Sequence, residues 1–269
     1  MFFLENIDTV WLALIIRILA IVLKYFIFAG AAFFIFYVWK KRDWWVLKIQ
    51  QKMPKAGSIR HEIFWSVLSR VILGVVAFFI IQYAGLTQLY YDMSTYGWAY
   101  FAFSVVFLIL LHDTYFYWAH RMMHHPRLYK YMHKVHHHSI NPTPWASFSF
   151  HPSEALVEIA LFPIVIMLMP VHIGALLIVI LFQMTFNVYG HAGFELFPKW
   201  WVKHPVLKYL NTSSHHNYHH KEFNYNFGLY FNHWDRICGT LDPDYDAKFL
   251  ALKERSTPYN HITVKSETL

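Results

Sequence analysis

Three short runs of histidine have the spacing of metal ligands: His120-Arg-Met-Met-His124, His133-Lys-Val-His136-His137 and His216-Asn-Tyr-His219-His220. Residues three and four apart share one face of a helix, so each run can aim two or three imidazoles at a common point. Sixteen of the 19 histidines fall in two windows, His112 to His151 and His191 to His233. Eight convergent imidazoles exceed what one four- to six-coordinate ion can take. Two neighbouring ions can share them and keep a position open for substrate or oxygen, so a dinuclear site is expected. Imidazole suits iron, zinc, copper and nickel, and ligand type alone does not choose among them.

His191, His151 and His112 are candidates to complete the shells. Asp113 stands seven residues before His120, on nearly the same helix face, where a carboxylate could orient an imidazole; Glu154 could do the same. His61, His172, His204 and His261 are isolated and read as packing or interfacial residues. His125, His138, His215 and His233 adjoin the motifs without matching their spacing. Cys238 is the only cysteine, so a cysteine-built zinc site is excluded and any metal must be held by His, Asp or Glu. No glycine-rich dinucleotide turn, nucleophile-elbow serine or phosphate-cradling loop is present. Asn211-Thr212-Ser213 fits the glycosylation pattern, which would go unused on a cytoplasmic face.

The elements that position these residues must sit in lipid. The chain is 57% hydrophobic and 20% aromatic with only 14% charged residues, too apolar for an ordinary soluble domain. Its net charge of +7 does not point to nucleic acid, because the basic residues follow the membrane. Lys40, Lys41, Arg42, Lys48, Lys52, Lys55 and Arg60 cluster between the first two apolar stretches, whereas the connection Gln82 to Gly97 has no Lys or Arg. That asymmetry places the basic connections in the cytoplasm.

Val10 to Trp39 and Ile63 to Tyr83 read as spanning helices, the first as a permanent anchor and not a cleaved signal. A third begins at Trp98 and, with no Pro or Gly to stop it, runs past the membrane surface to His120 and His124. Pro142, Pro144 and Pro152 mark an irregular polar segment after Pro126. At ~1.5 Å per residue, Ala155 to Met169 reaches only roughly 22 Å against a ~30 Å hydrocarbon core. With Val171 to Tyr189 it reads as a hairpin turned at Pro170, which returns the second histidine window to the side of the first. The expected architecture is one all-α membrane domain over residues 1–269, with four to five transmembrane or re-entrant helices. A cytoplasmic, His-rich helical cap holds the dinuclear site, and the motif-bearing region covers about 98–245.

The ordered motifs resemble the fatty acid hydroxylase superfamily, and within it the sterol C5-desaturase branch. The resemblance rests on His112-Asp-Thr-Tyr-Phe-Tyr-Trp-Ala-His120 through His124, on His133 to His137, and on Pro142-Thr-Pro-Trp-Ala-Ser-Phe-Ser-Phe-His151-Pro. It continues through His191-Ala-Gly, His215 to His220, Asn224-Tyr-Asn-Phe-Gly228, Trp234-Asp-Arg and Gly239-Thr240. Phe148 departs from that branch, whose members usually carry a further histidine there. The resemblance implies a helical bundle in lipid under a cap that binds two iron ions through His120, His124, His133, His136, His137, His216, His219 and His220, with His191 and His151 as additional ligands. It further implies O2-dependent hydroxylation or desaturation of a membrane lipid, fatty acyl or sterol. The electrons come from an external cytochrome b5-like or ferredoxin-type donor, since the chain has no haem or flavin module. The spacings themselves would also accept zinc, so a two-zinc membrane hydrolase is the competing expectation. A metal carrier fits less well, because its ligands belong near mid-membrane.

Overall fold

A computed structural model describes residues 7–82 and 84–255. Its long helices are α1 (Ile7–Phe33), α2 (Ala56–Gln82), α3 (Gly97–Met123), α5 (Pro152–Leu168) and α6 (Ile173–Gly190); α4 (Pro126–Met132), α7 (Ser213–Glu222), α8 (His233–Ile237) and α9 (Tyr245–Arg255) are short. A π-helical stretch, Phe34–Trp39, extends α1. Among the described residues, four segments are long and apolar enough to cross a membrane: Thr9–Trp39, Ala56–Ile80, Gly97–Met123 and Ile173–Gly190. The 17-residue α5 is shorter than these and joins α6 as the expected hairpin.

Burial follows the solvent. On α1, Trp11, Leu12, Ile15, Ile16, Leu19 and Leu23 are each more than half exposed, a surface that water would penalise and acyl chains accept. Glycine brings helices together where a side chain would separate them. A Cβ on Gly74 of α2 would lie 2.7 Å from Ile18 Cγ1 and 3.0 Å from Ile18 Cα of α1. Leu108 of α3 packs with Leu161, Val165 and Ile166 of α5 and with Ala175, Leu176 and Val179 of α6. At the far end of this bundle, the two-residue strands β1 (Leu89–Tyr90) and β2 (Val171–His172) pair in parallel and tie the hairpin turn to the connection before α3. The histidines gather at the opposite end, where α3 finishes, α5 begins and α6 finishes.

Two local expectations differ from the structure. Helix α2 begins at Ala56, seven residues before Ile63, because Arg60, His61 and Glu62 continue the helix upward to meet the cap. His61 stacks on His138 at 4.2 Å between ring centroids, and Glu62 accepts a hydrogen bond from Thr143. The run His133 to His137 is not one helical face. α4 ends at Met132, His133 is its C-cap, and His136–His138 form a single 3-10 turn. Pro126 starts this helix cleanly at its first turn, but the run to His137 lacks the length for a stable helix of its own.

Candidate metal centre

α3 presents His120, with His124 as its C-cap one turn on. The 3-10 turn supplies His136 and His137, α6 ends on His191, and α7 carries His216, His219 and His220. Thr212 caps α7 through its side chain, accepting from the His215 N–H, so the helix starts where its histidines face inward.

These residues form two groups. His120, His124, His133, His137 and His219 make one, and His136, His191, His216 and His220 the other, each with its ligand atoms within 4.8 Å of one another. The converging atoms are the Nε2 nitrogens. Their separations are 2.9 Å for His120 and His133, 3.1 Å for His124 and His137, and 3.0 Å for His137 and His219. In the second group they are 3.0 Å for His191 and His216, 3.1 Å for His216 and His220, and 3.4 Å for His136 and His191. Two nitrogens bound ~2.1 Å from one ion lie about 3.0 Å apart at a right angle and about 3.4 Å apart at the tetrahedral angle.

The outer nitrogens fix which form of the ring is present. His120 Nδ1 lies 2.8 Å from the Phe227 carbonyl, His219 Nδ1 2.6 Å from the Tyr225 carbonyl, and His191 Nδ1 2.7 Å from the Asn187 carbonyl. His133 Nδ1 lies 2.6 Å from Glu154 Oε1. A carbonyl only accepts, so Nδ1 carries the proton and Nε2 of a neutral ring offers a lone pair. His120 and His219, both held by carbonyls, thus direct Nε2 lone pairs into one group whose ligand atoms lie within 4.8 Å of one another, an arrangement that repels unless a cation lies between them. The residues fit two metal ions, with five imidazoles for one and four for the other.

Burial keeps these rings neutral and able to bind. It pushes His124 down to about 2, with help from His120, and His191 down to about 4. His133, His136, His137, His216, His219 and His220 are held well below the ordinary histidine value, by burial first and by their neighbours second. An unfolded histidine titrates near ~6.5. Because the folded values are depressed, the unfolded chain binds more protons as the pH falls below that point, and stability present at neutral pH is lost. Metal should therefore be released as the pH is stepped from about 6.5 towards 4, read as metal content after desalting at each pH.

Other expected residues lie elsewhere. His151 is brought to neither group; it caps α5, its Nδ1 facing the Ser153 N–H at 3.4 Å and Ser153 Oγ at 2.7 Å. The proline after it starts α5 and turns the ring towards the helix end. His112 lies 3.2 Å from Gln183 Nε2 and stacks on Phe162 and Tyr230. Asp113 orients no imidazole of the two groups: its Oδ1 accepts from the Tyr230 and Phe231 N–H groups, and Oδ2 is 3.7 Å from His233. Seven residues put it on the face of His120, but two turns lower, beside the returning loop. Glu154 does orient a group member, His133.

Asp235 is a residue that spacing did not single out. It accepts from the N–H groups of Phe227 at 2.8 Å and Gly228 at 2.9 Å and from Thr240 Oγ1, and lies 3.2 Å from His215 Nε2. It thereby holds the carbonyl that orients His120. Only the Trp234-Asp-Arg motif pointed to it. A Cβ on Gly228 would collide with the Phe231 carbonyl oxygen, so Gly228→Ala should lower stability by about 1–3 kcal/mol, read by thermal melting, and loosen the His120 support.

Residues 105–240 match the family model for fatty acid hydroxylase. The chain is 30% identical over 200 residues to a Delta(7)-sterol 5(6)-desaturase of Gibberella zeae, covering 71% of this chain and 60% of that protein. It is 31% identical over 220 residues to a Delta(7)-sterol 5(6)-desaturase of Aspergillus fumigatus, covering 71% and 67%. It is also 32% identical over 189 residues to the lathosterol oxidase of Rattus norvegicus, covering 69% and 62%. The chain thus spans 60% to 67% of the length of these three relatives. No solved structure matches it.

Proposed function

Because this chain belongs to the fatty acid hydroxylase family, we propose that it is a membrane-bound, two-iron, O2-dependent oxidoreductase that hydroxylates or desaturates a C–H position of a lipid. The observation that carries the reading is the pair of all-imidazole groups whose Nε2 lone pairs converge. His120, His124, His133, His137 and His219 would hold one iron, and His136, His191, His216 and His220 the other. When bound, the two ions would supply reductive activation of O2.

Hydroxylation consumes one C–H, O2, two electrons and two protons and yields C–OH and one water; desaturation takes two hydrogens from the lipid and yields two waters. The electrons would come from an external cytochrome b5-like or ferredoxin-type donor. The names of the relatives make a sterol the first substrate to try, and fatty acyl lipids the second. The basic connections support a centre on the cytoplasmic face, and the membrane would be that of the endoplasmic reticulum or a bacterial inner membrane.

The chain's own residues would keep water from the reacting carbon. Phe227 packs against His120, His124 and His219 at 5.1 to 5.6 Å between ring centroids, Phe223 against His137 at 4.6 Å, and Phe150 against His136 at 5.2 Å. Phe116 packs 5.1 Å from the His120 ring on the bundle side, where Phe116, Leu229 and Tyr230 form an apolar cluster that suits a hydrocarbon. An imidazole-only set favours this over zinc hydrolysis, in which a carboxylate more often joins the ligands. The test is metal analysis combined with turnover of sterol and acyl lipids with and without oxygen. Two irons per chain and strict oxygen dependence are expected. Stoichiometric zinc in active protein, with turnover under anaerobic conditions, would replace this reading by the hydrolase.

A further inference from the structure

A small cavity lies against the second histidine group, lined by Phe186, Gly190, His191, Asn211, Thr212 and His216 among others, with about 10 Å³ of room for the centre of a water molecule. Two of its lining residues own buried polar atoms without a partner: both Nδ2 and Oδ1 of Asn211, and Nδ1 of His216. Asn211 is 3% exposed and His216 6%, so bulk water does not serve them. Leaving three such atoms bare would forfeit their hydration with nothing in return. A site of this size holds one water when it offers two to four polar partners.

The position has a chemical consequence. His191, in the same group, donates its Nδ1–H to the Asn187 carbonyl, whereas His216 has no carbonyl or carboxylate in that role. An imidazole that binds metal through Nε2 carries its proton on Nδ1, and an acceptor there fixes the ring and raises its basicity. We propose that Asn211 and one bound water form the support of His216: the water accepts from His216 Nδ1–H and donates to Asn211 Oδ1. Asn211 is then a positioning residue, reaching the metal through His216. The inference rests on the assignment of His216 to the second metal.

The experiment compares Asn211→Leu and Asn211→Asp in the full-length, metal-loaded protein in detergent micelles, using a competing chelator and metal analysis. Asn211→Leu should give up the more weakly held metal at a chelator concentration about tenfold or more below that needed for the parent. Asn211→Asp, which keeps an acceptor for the water, should hold both metals as the parent does. Parent-like retention in Asn211→Leu, or equal loss in Asn211→Asp, would overturn the proposal. Should the leucine variant not fold, an electron cryomicroscopy map of the unaltered protein decides. A water peak within hydrogen-bond distance of both Asn211 and His216 Nδ1 supports the proposal, and a map that resolves other buried waters but shows none there overturns it. If the parent binds two metals but the variants behave alike, only this support is wrong; if the parent binds no metal, the metal assignment itself fails.

Discussion

His137→Ala and His220→Ala should each reduce the metal content from two ions to about one per chain and lower turnover at least ~1,000-fold, about 4 kcal/mol of barrier at ~1.4 kcal/mol per tenfold. His137 Nε2 touches the Nε2 atoms of His124 and His219, and His220 Nε2 those of His191 and His216, so each variant takes a proposed ligand from a different group. The metal-free proteins should differ little in melting temperature. In the absence of a cation the converging lone pairs repel, and removing one ring relieves part of that repulsion while leaving a cavity of similar cost. The metal-loaded parent should melt well above either variant, because an ion that binds only the folded state stabilises it by mass action. Loss of stability without loss of metal would refute the ligand assignment.

The second large effect concerns Glu154. It is buried to 1% exposure at the start of α5, and its Oε1 lies 2.6 Å from His133 Nδ1. Glu154→Gln keeps the shape and one acceptor oxygen but removes the carboxylate, which burial pushes towards the neutral form and which a cation on His133 would draw back to the charged form that raises the basicity of the ring. A loss of about 10- to 100-fold in metal affinity or activity is expected. Chelator competition and turnover measured together should fall in proportion. A variant that binds metal as the parent does would reduce Glu154 to a packing role.

Much of this site was legible because metal ligands must be particular side chains. The histidine runs identify eight of the nine rings that converge, and the ninth, His191, follows the hairpin helix that the apolar pattern marks out. His151 was not legible as a helix cap, since a histidine before proline has the same residue type in either role. Asp113 shows the limit of periodicity: it stands on the correct face of α3 but at a level where the loop at Tyr230 and Phe231 arrives first. The loop's own contribution is made by backbone groups, the carbonyls of Tyr225 and Phe227, and no side-chain type announces those.

The sequence by itself determined the solvent, the long helices and the identity of the imidazoles, because apolar runs and histidine spacing are local properties of the chain. Tertiary structure decided how the imidazoles divide. Each of the last two runs is split: His133 and His137 join one group while His136 joins the other, and His219 separates from His216 and His220. On α7 the division follows the helix, since His216 and His220, four apart, lie only roughly 40° apart around the axis, whereas the adjacent His219 and His220 diverge by roughly 100°. The rings of His219 and His220 lie 6.0 Å apart, against 4.7 Å for His216 and His220. At His136 and His137 it follows a single 3-10 turn that sends neighbouring rings in different directions, a geometry set by the ends of α3, α5 and α6 meeting around it.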